Sequence, residues 1–185
     1  MELHPDYPIV TDRLRLRPLT LHDVDALLTY RGRPDVCRYL PFDPMTPEVL
    51  IGRLRTDLSR TAITREGQGL TLGVELAASG ELIGDVVLFF RSQEHAGGEL
   101  GYVFHPDAAG QGYATEAAGA LLDLAFGGLG LNRVIARLDA RNEASARLAS
   151  RLGMRREAHF VRNEIFKGEW SDELVYAVLA SEWRS

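Results

Sequence analysis

One cysteine, Cys37, stands among 185 residues, so no disulfide can close within the chain, and it lacks the spacing of a metal or redox motif. It reads as a small buried residue. Long hydrophobic runs are missing as well. Leu70 to Leu76 and Leu82 to Phe90 are broken by glycine or polar residues and fall far short of the roughly 18 apolar residues of a membrane span, so no membrane partner is expected. Met1-Glu2-Leu3-His4-Pro5-Asp6 holds neither a basic region nor an apolar signal core, and the expected location is the cytoplasm. His4, His22, His95, His105 and His159 are scattered without an HExxH or Cys/His cluster, which predicts no metal. A formal charge of −5 argues against nucleic acid as a partner. No repeat, linker or low-complexity tract divides residues 1–185, a length that suits one domain with a substantial core.

What is present reads as alternating short elements. Arg13 to Pro18 alternates leucine with arginine, the period of a strand with one buried face. Thr20 caps a helix running to Tyr30 or Gly32, and Thr46-Pro47-Glu48 opens another carrying Val49, Leu50, Leu54 and Leu58. Leu70 to Ala77 and Glu81 to Phe90 form a hairpin around Ala78-Ser79-Gly80, and His95-Ala96-Gly97-Gly98 is a loop before the strand from Glu99 to Phe104. A helix from Gly112 to Phe126, a strand from Arg133 to Ala140, and a helix from Glu143 to Leu152 capped by Asn142 follow. Strands Phe160 to Phe166 and Glu173 to Leu179 complete the order β-α-α-β-β-β-α-β-α-β-β. The expected fold class is α+β, a mixed, mostly antiparallel sheet flanked by helices. Its one parallel pair spans the central helix crossover, with a cleft between the glycine turn and Ala140 to Ser145.

The turn at that cleft is Ala109-Gly110-Gln111-Gly112-Tyr113-Ala114-Thr115-Glu116-Ala117. Two glycines at a helix start let backbone approach a ligand closely, and first-turn N–H groups have no partner of their own, a geometry that binds phosphate. A mononucleotide P-loop requires Lys then Ser or Thr after the second glycine, and Gly112-Tyr113 fails this. A dinucleotide fingerprint needs glycine where Thr115 stands, and the hairpins before Glu99 contradict its alternating parallel fold.

The third candidate comes from likeness. Thr11-Asp12-Arg13-Leu14-Arg15-Leu16-Arg17, Leu100-Gly101-Tyr102, Gly110 to Ala117, Leu129-Gly130-Leu131-Asn132-Arg133-Val134, Asn142-Glu143-Ala144-Ser145, Leu152-Gly153-Met154 and Gly168-Glu169-Trp170-Ser171-Asp172 span almost the whole chain in order. Through them the sequence resembles the GNAT superfamily of acyl-CoA N-acyltransferases, and within it the branch of the ribosomal-protein N-terminal acetyltransferases. The resemblance implies a splayed sheet with acetyl-CoA, the co-substrate, in the V between two parallel strands. Its pyrophosphate would rest on the backbone amides of Gly110, Gln111, Gly112, Tyr113, Ala114 and Thr115. The backbone of Phe104 would hydrogen-bond the pantetheine arm or the thioester carbonyl, where a donor stabilises the transition state. Asp107 stands where the superfamily usually has Gln or Arg, a small departure for a turn that binds through backbone.

Acetyl transfer needs a neutral nucleophile, oxyanion stabilisation and a proton for the departing thiolate. An α-amine, with pKa near about 8, is partly neutral at pH 7. The superfamily's tyrosine proton donor falls at Ala149, so that mechanism does not carry over. The resemblance implies instead Ser145 as acid or thiol-binding donor, and Asn142 as a hydrogen-bonding partner of pantetheine or substrate. The alternative is that both only cap the helix. For the general base it implies Glu164, four residues before Gly168, with Glu99 on the central strand as the rival. Tyr102, Trp170 and Tyr39 are aromatic candidates for the acceptor wall, Tyr102 reading more as core and Trp170 as a subunit contact. Glu116 reads as a brace of its helix, and His105 as non-catalytic. The loop from Pro41 to Pro47 and the last hairpin are expected to wall the acceptor.

The function so implied is transfer of an acetyl group from acetyl-CoA to a primary amine, either a protein N-terminus or a small molecule such as a polyamine, amino acid or antibiotic. Succinyl-CoA is an alternative donor, and a non-catalytic acyl-CoA-binding module is the reading from a different class. Many relatives pair through their C-terminal half, so a homodimer is expected.

Overall fold

Alternation decides the first long strand. Leu14 and Leu16 are fully buried while Arg15 between them is exposed, as a strand with one face on a core requires. The computed structural model describes residues 1–183, and its strands are β1 (Ile9–Val10), β2 (Leu14–Pro18), β3 (Gly69–Leu76), β4 (Leu82–Ser92), β5 (Gly97–Phe104), β6 (Arg133–Asp139), β7 (Arg155–Phe166) and β8 (Glu169–Leu179). They form one sheet in the order β1-β2-β3-β4-β5-β6-β8-β7. The helices are α1 (Val24–Arg31), α2 (Pro34–Cys37), α3 (Pro47–Leu54), α4 (Tyr113–Asp123) and α5 (Glu143–Arg151). Among the described residues no helix is long and apolar enough to cross a membrane.

The expected caps are in place. Asp23 accepts from the backbone N–H of Thr20 at 2.7 Å while Thr20 accepts from His22, and Thr46 accepts from the N–H of Val49 with Pro47 first in α3. Leu58 lies beyond the end of α3 but is buried with it. Gly80 turns the β3–β4 hairpin at φ +74°. One face of the sheet packs Leu72, Leu88 and Leu100 against Leu121 of α4, and the other packs Val103 and Leu19 against Leu27 and Leu50 of α1 and α3.

Among the described residues only β5 and β6 pair in parallel, and their pairing is short, from Gly97↔Arg133 to Glu99↔Ile135. Beyond Glu99 the two strands part, opening the V that the crossover implied.

Several boundaries differ from the reading above: β4 runs on to Ser92, and α4 stops at Asp123, short of Phe126, passing into a π-helical turn over Leu124–Gly128. Gly97 and Gly98 belong to β5, paired on both sides, and are not a loop. Gly98 is there for packing, since a Cβ would come within 2.5 Å of Leu131 Cδ1. The last hairpin is longer than its apolar pattern, with β7 starting at Arg155 and β8 at Glu169. Strand β7 is an edge, exposed at nearly every residue, so no buried face imposes a period of two on its sequence. The elements β1 and α2 are too short for any periodicity to announce them.

Candidate active site

Gly110 (φ +77°) and Gly112 (φ +80°) both adopt the left-handed conformation that glycine alone reaches without strain. Gly112 caps α4, and the first backbone bond of that helix is Glu116 N–H to the Gly112 carbonyl at 3.0 Å. The amides from Gly110 to Thr115 therefore donate to no protein acceptor among the described residues. Unused donors at a helix N-terminus suit a diphosphate, so the turn fits the coenzyme. A brace holds it in shape. Arg13 donates through Nη1 to the Gln111 carbonyl at 2.9 Å and through Nε to Glu116 at 2.7 Å, and the Thr11 hydroxyl donates to Glu116 at 2.6 Å. Burial pushes the Glu116 pKa up, but these donors outweigh it and hold the carboxyl below the usual glutamate range. Glu116 is thus a brace, as expected.

Phe104 supplies the next contact through backbone direction. The His105 N–H bonds to the Ile83 carbonyl, toward β4. Strand polar groups alternate sides, so the N–H and C=O of Phe104 face the gap left by β6. An arm lying in the V could pair with them as a strand would.

Two cavities meet at this V. One, of about 370 Å³, runs past Phe104, Gly110, Gly112, Thr115 and Ala144. The other, of about 490 Å³, lies over Thr71, Asp85, Val87, Glu99 and Gly101, under a roof of Tyr39 to Phe42. They share Leu40, Tyr102, Val103, Asn142 and Ser145. Asn142 does cap α5, its Oδ1 accepting from the Ser145 N–H at 3.1 Å, yet both residues also stand at the junction. Tyr102 reaches the same point, its hydroxyl donating to the Ser145 carbonyl at 3.3 Å. Burial raises the Tyr102 pKa, with the Ser145 side chain pulling back, so the phenol stays protonated.

The two carboxylates proposed as base are separated. Glu99 lines the acceptor cavity and accepts from Arg91 Nε at 2.9 Å. Glu164 is exposed on β7, opposite Ser171, outside the lining of both cavities. The last hairpin does not wall the acceptor either. It props the roof from behind, where Lys167 Nζ donates to the carbonyls of Cys37 at 2.6 Å and Phe42 at 2.9 Å. Trp170 is exposed, Tyr39 lines the cavity, and the His105 ring accepts from the Asp107 N–H in a local cap. Cys37 is buried.

Sequence reasoning passed over Asp85. It is fully buried in the cavity floor, where it accepts from Arg31 at 2.8 and 2.6 Å and from the Tyr30 hydroxyl at 2.9 Å. A charge inside the apolar run Ile83 to Val87 was the available signal, since buried carboxylates require partners.

A glycine turn with free amides at a helix start, a parallel pair that splays, and two cavities meeting in its opening suit an acyl-CoA-dependent N-acetyltransferase. The chain matches the Acetyltransferase (GNAT) domain family over residues 13–155 and belongs to it, an N-acetyltransferase using acetyl-CoA. It is 34% identical over 176 residues to a Bacillus subtilis protein named uncharacterized N-acetyltransferase YnaD, covering 95% of this chain and 98% of that one. The crystal structure of an acetyltransferase (GNAT family) from Bacillus anthracis superposes with a TM-score of 0.84 at 32% identity, covering 94% of this chain and 99% of that one. At 21% identity, the spermidine N-acetyltransferase of Vibrio cholerae, solved with CoA and spermine, shares the fold, with a TM-score of 0.81 over 95% of this chain and 100% of that one.

Proposed function

We propose that this enzyme transfers the acetyl group by direct attack of a primary amine in a ternary complex, and that the amine belongs to a peptide, as in the ribosomal-protein acetyltransferase branch. The supporting observation is the junction at Tyr102, Asn142 and Ser145, where the coenzyme groove and a separate acceptor cavity open onto each other. Simultaneous occupation of both needs no intermediate carried by the protein. Ser145 gives the departing thiolate its proton or hydrogen bond, Asn142 positions the arm, the backbone of Phe104 receives it, and Glu99 takes the proton of the attacking amine.

The lining speaks against a polyamine. Each acid there is already matched: Asp57 by Arg53, Asp85 by Arg31, Glu99 by Arg91 and Asp139 by Arg141. No spare negative charge awaits a polycation. The test is thiol release from acetyl-CoA over a panel of peptides and small amines. Intersecting initial-rate lines support the ternary complex, parallel lines refute it, and coenzyme binding without turnover on any amine would point to a non-catalytic module.

We further propose a homodimer through the last hairpin. Phe160, Val161, Ile165 and Trp170 are exposed on β7 and β8, and β7 is one edge of the sheet. Two such edges can pair about a two-fold axis, which would cover apolar surface and satisfy backbone groups together.

A further inference from the structure

Arg60 lines the acceptor cavity and not the coenzyme groove, makes no hydrogen bond or ion pair among the described residues, and has its Nε shut off from solvent. Among the described residues it is the one arginine of that lining without an ion pair. The other arginines without an ion pair (Arg15, Arg38, Arg55, Arg65, Arg151, Arg156 and Arg162) are all exposed, where water satisfies them. Gln68 lines the same cavity. Its Oε1 accepts from the Thr64 N–H at 2.7 Å, and an N–H can only donate, so the orientation of the amide is settled. The Gln68 amide nitrogen is left with two donors and no acceptor.

From these unused donors we infer that the acceptor is an amine that also carries a carboxylate, read by Arg60 and Gln68. The inference rests on the acetyltransferase reading above and narrows it. The Nε of Arg60 is a buried donor without an acceptor, which costs free energy until an anion arrives, and the paired carboxylate is then held by charge-assisted bonds. Nothing else in the lining supplies that anion, because its own acids are each engaged.

The sheet register sets the span. Gly69, next to Gln68, pairs with Phe89, which pairs with Glu99, so two strand intervals separate the Gln68 end from the splay. At about 4.8 Å per interval this is on the order of 10 Å. An α-amino acid is too short to bridge it. A peptide of about three residues, at some 3.3–3.6 Å each, is long enough.

The test uses the full chain with acetyl-CoA and follows thiol release on triglycine, triglycinamide and spermidine in parallel, with Arg60→Gln and Arg60→Lys beside the unaltered protein. We expect triglycine to exceed triglycinamide by about tenfold or more in kcat/KM. Arg60→Gln should bring that ratio to about one, chiefly through KM, and Arg60→Lys should keep part of it. Coenzyme A affinity by calorimetry, retained in both variants, shows that they fold. Equal use of the two peptides, preference for spermidine, transfer to other amines but to neither peptide, or an Arg60→Gln that lowers both peptides alike overturns the inference. Coenzyme uptake with thiol release from no amine at all removes the reading beneath it, and this inference with it.

Discussion

The hydroxyl of Tyr102 donates to the carbonyl of Ser145 at 3.3 Å, tying β5 to the first turn of α5 across the gap where β5 and β6 part. It joins the two walls of the V at the point where the two cavities meet. Ser145→Ala is expected to lower kcat by about 10²-fold with little change in KM for acetyl-CoA. Tyr102→Phe, which deletes one hydrogen bond of about 1 kcal/mol, should cost about fivefold. The double variant should lose less than the product of the two, because both changes disturb one element. Steady-state kinetics of the three variants decides this, and strict additivity would show that the bond does not position Ser145.

The base is tested by pH. Glu99→Gln should depress kcat/KM at pH 7 by about 10²-fold, and the deficit should shrink as pH rises and the amine loses its own proton. Glu164→Gln, on the exposed edge strand, should change the profile little. The reverse ranking would restore Glu164, which the family likeness favours, and would require β7 to move toward the cavity.

Glu116 links the phosphate turn to stability. Its folded pKa is lowered, so its stabilising contribution is complete above the unfolded carboxyl value of about 4.3 and is lost as pH falls through the lower folded value. Glu116→Gln should therefore reduce stability at pH 7 and converge with the unaltered protein in acid. It should also weaken coenzyme A several-fold, because Arg13 then loses its partner beside Gln111. Urea unfolding across pH and calorimetry measure the two effects. A stability gap that persists unchanged to pH 2 would contradict the linkage.

The exposed hairpin predicts assembly. Trp170→Glu together with Ile165→Asp should convert a dimer to a monomer in sedimentation analysis, leaving coenzyme affinity intact since neither residue lines a cavity. A monomer before substitution refutes the proposal.

Much of the site was readable because its physics is local. Left-handed glycines at 110 and 112, the Asn142 cap and the Gly80 turn each act within a few residues, and residue type alone announces them. Where apolar and polar residues alternated against a buried face, as at Leu14 and Leu16, the strand was equally plain. The edge strand β7 hid its extent because solvent on both faces imposes no pattern.

Short-range order thus determined the left-handed glycine turn and the helix carrying Asn142 and Ser145, and the likeness of the motifs pointed to the family. Only the tertiary arrangement decided which carboxylate lines the cavity beyond the splay, where β5 and β6 part, and that Arg60 is left unmatched among the described residues. Those outcomes depend on register and on the pairing of charges far apart in the chain, such as Arg31 with Asp85. No local preference encodes whether a given side chain will find its partner.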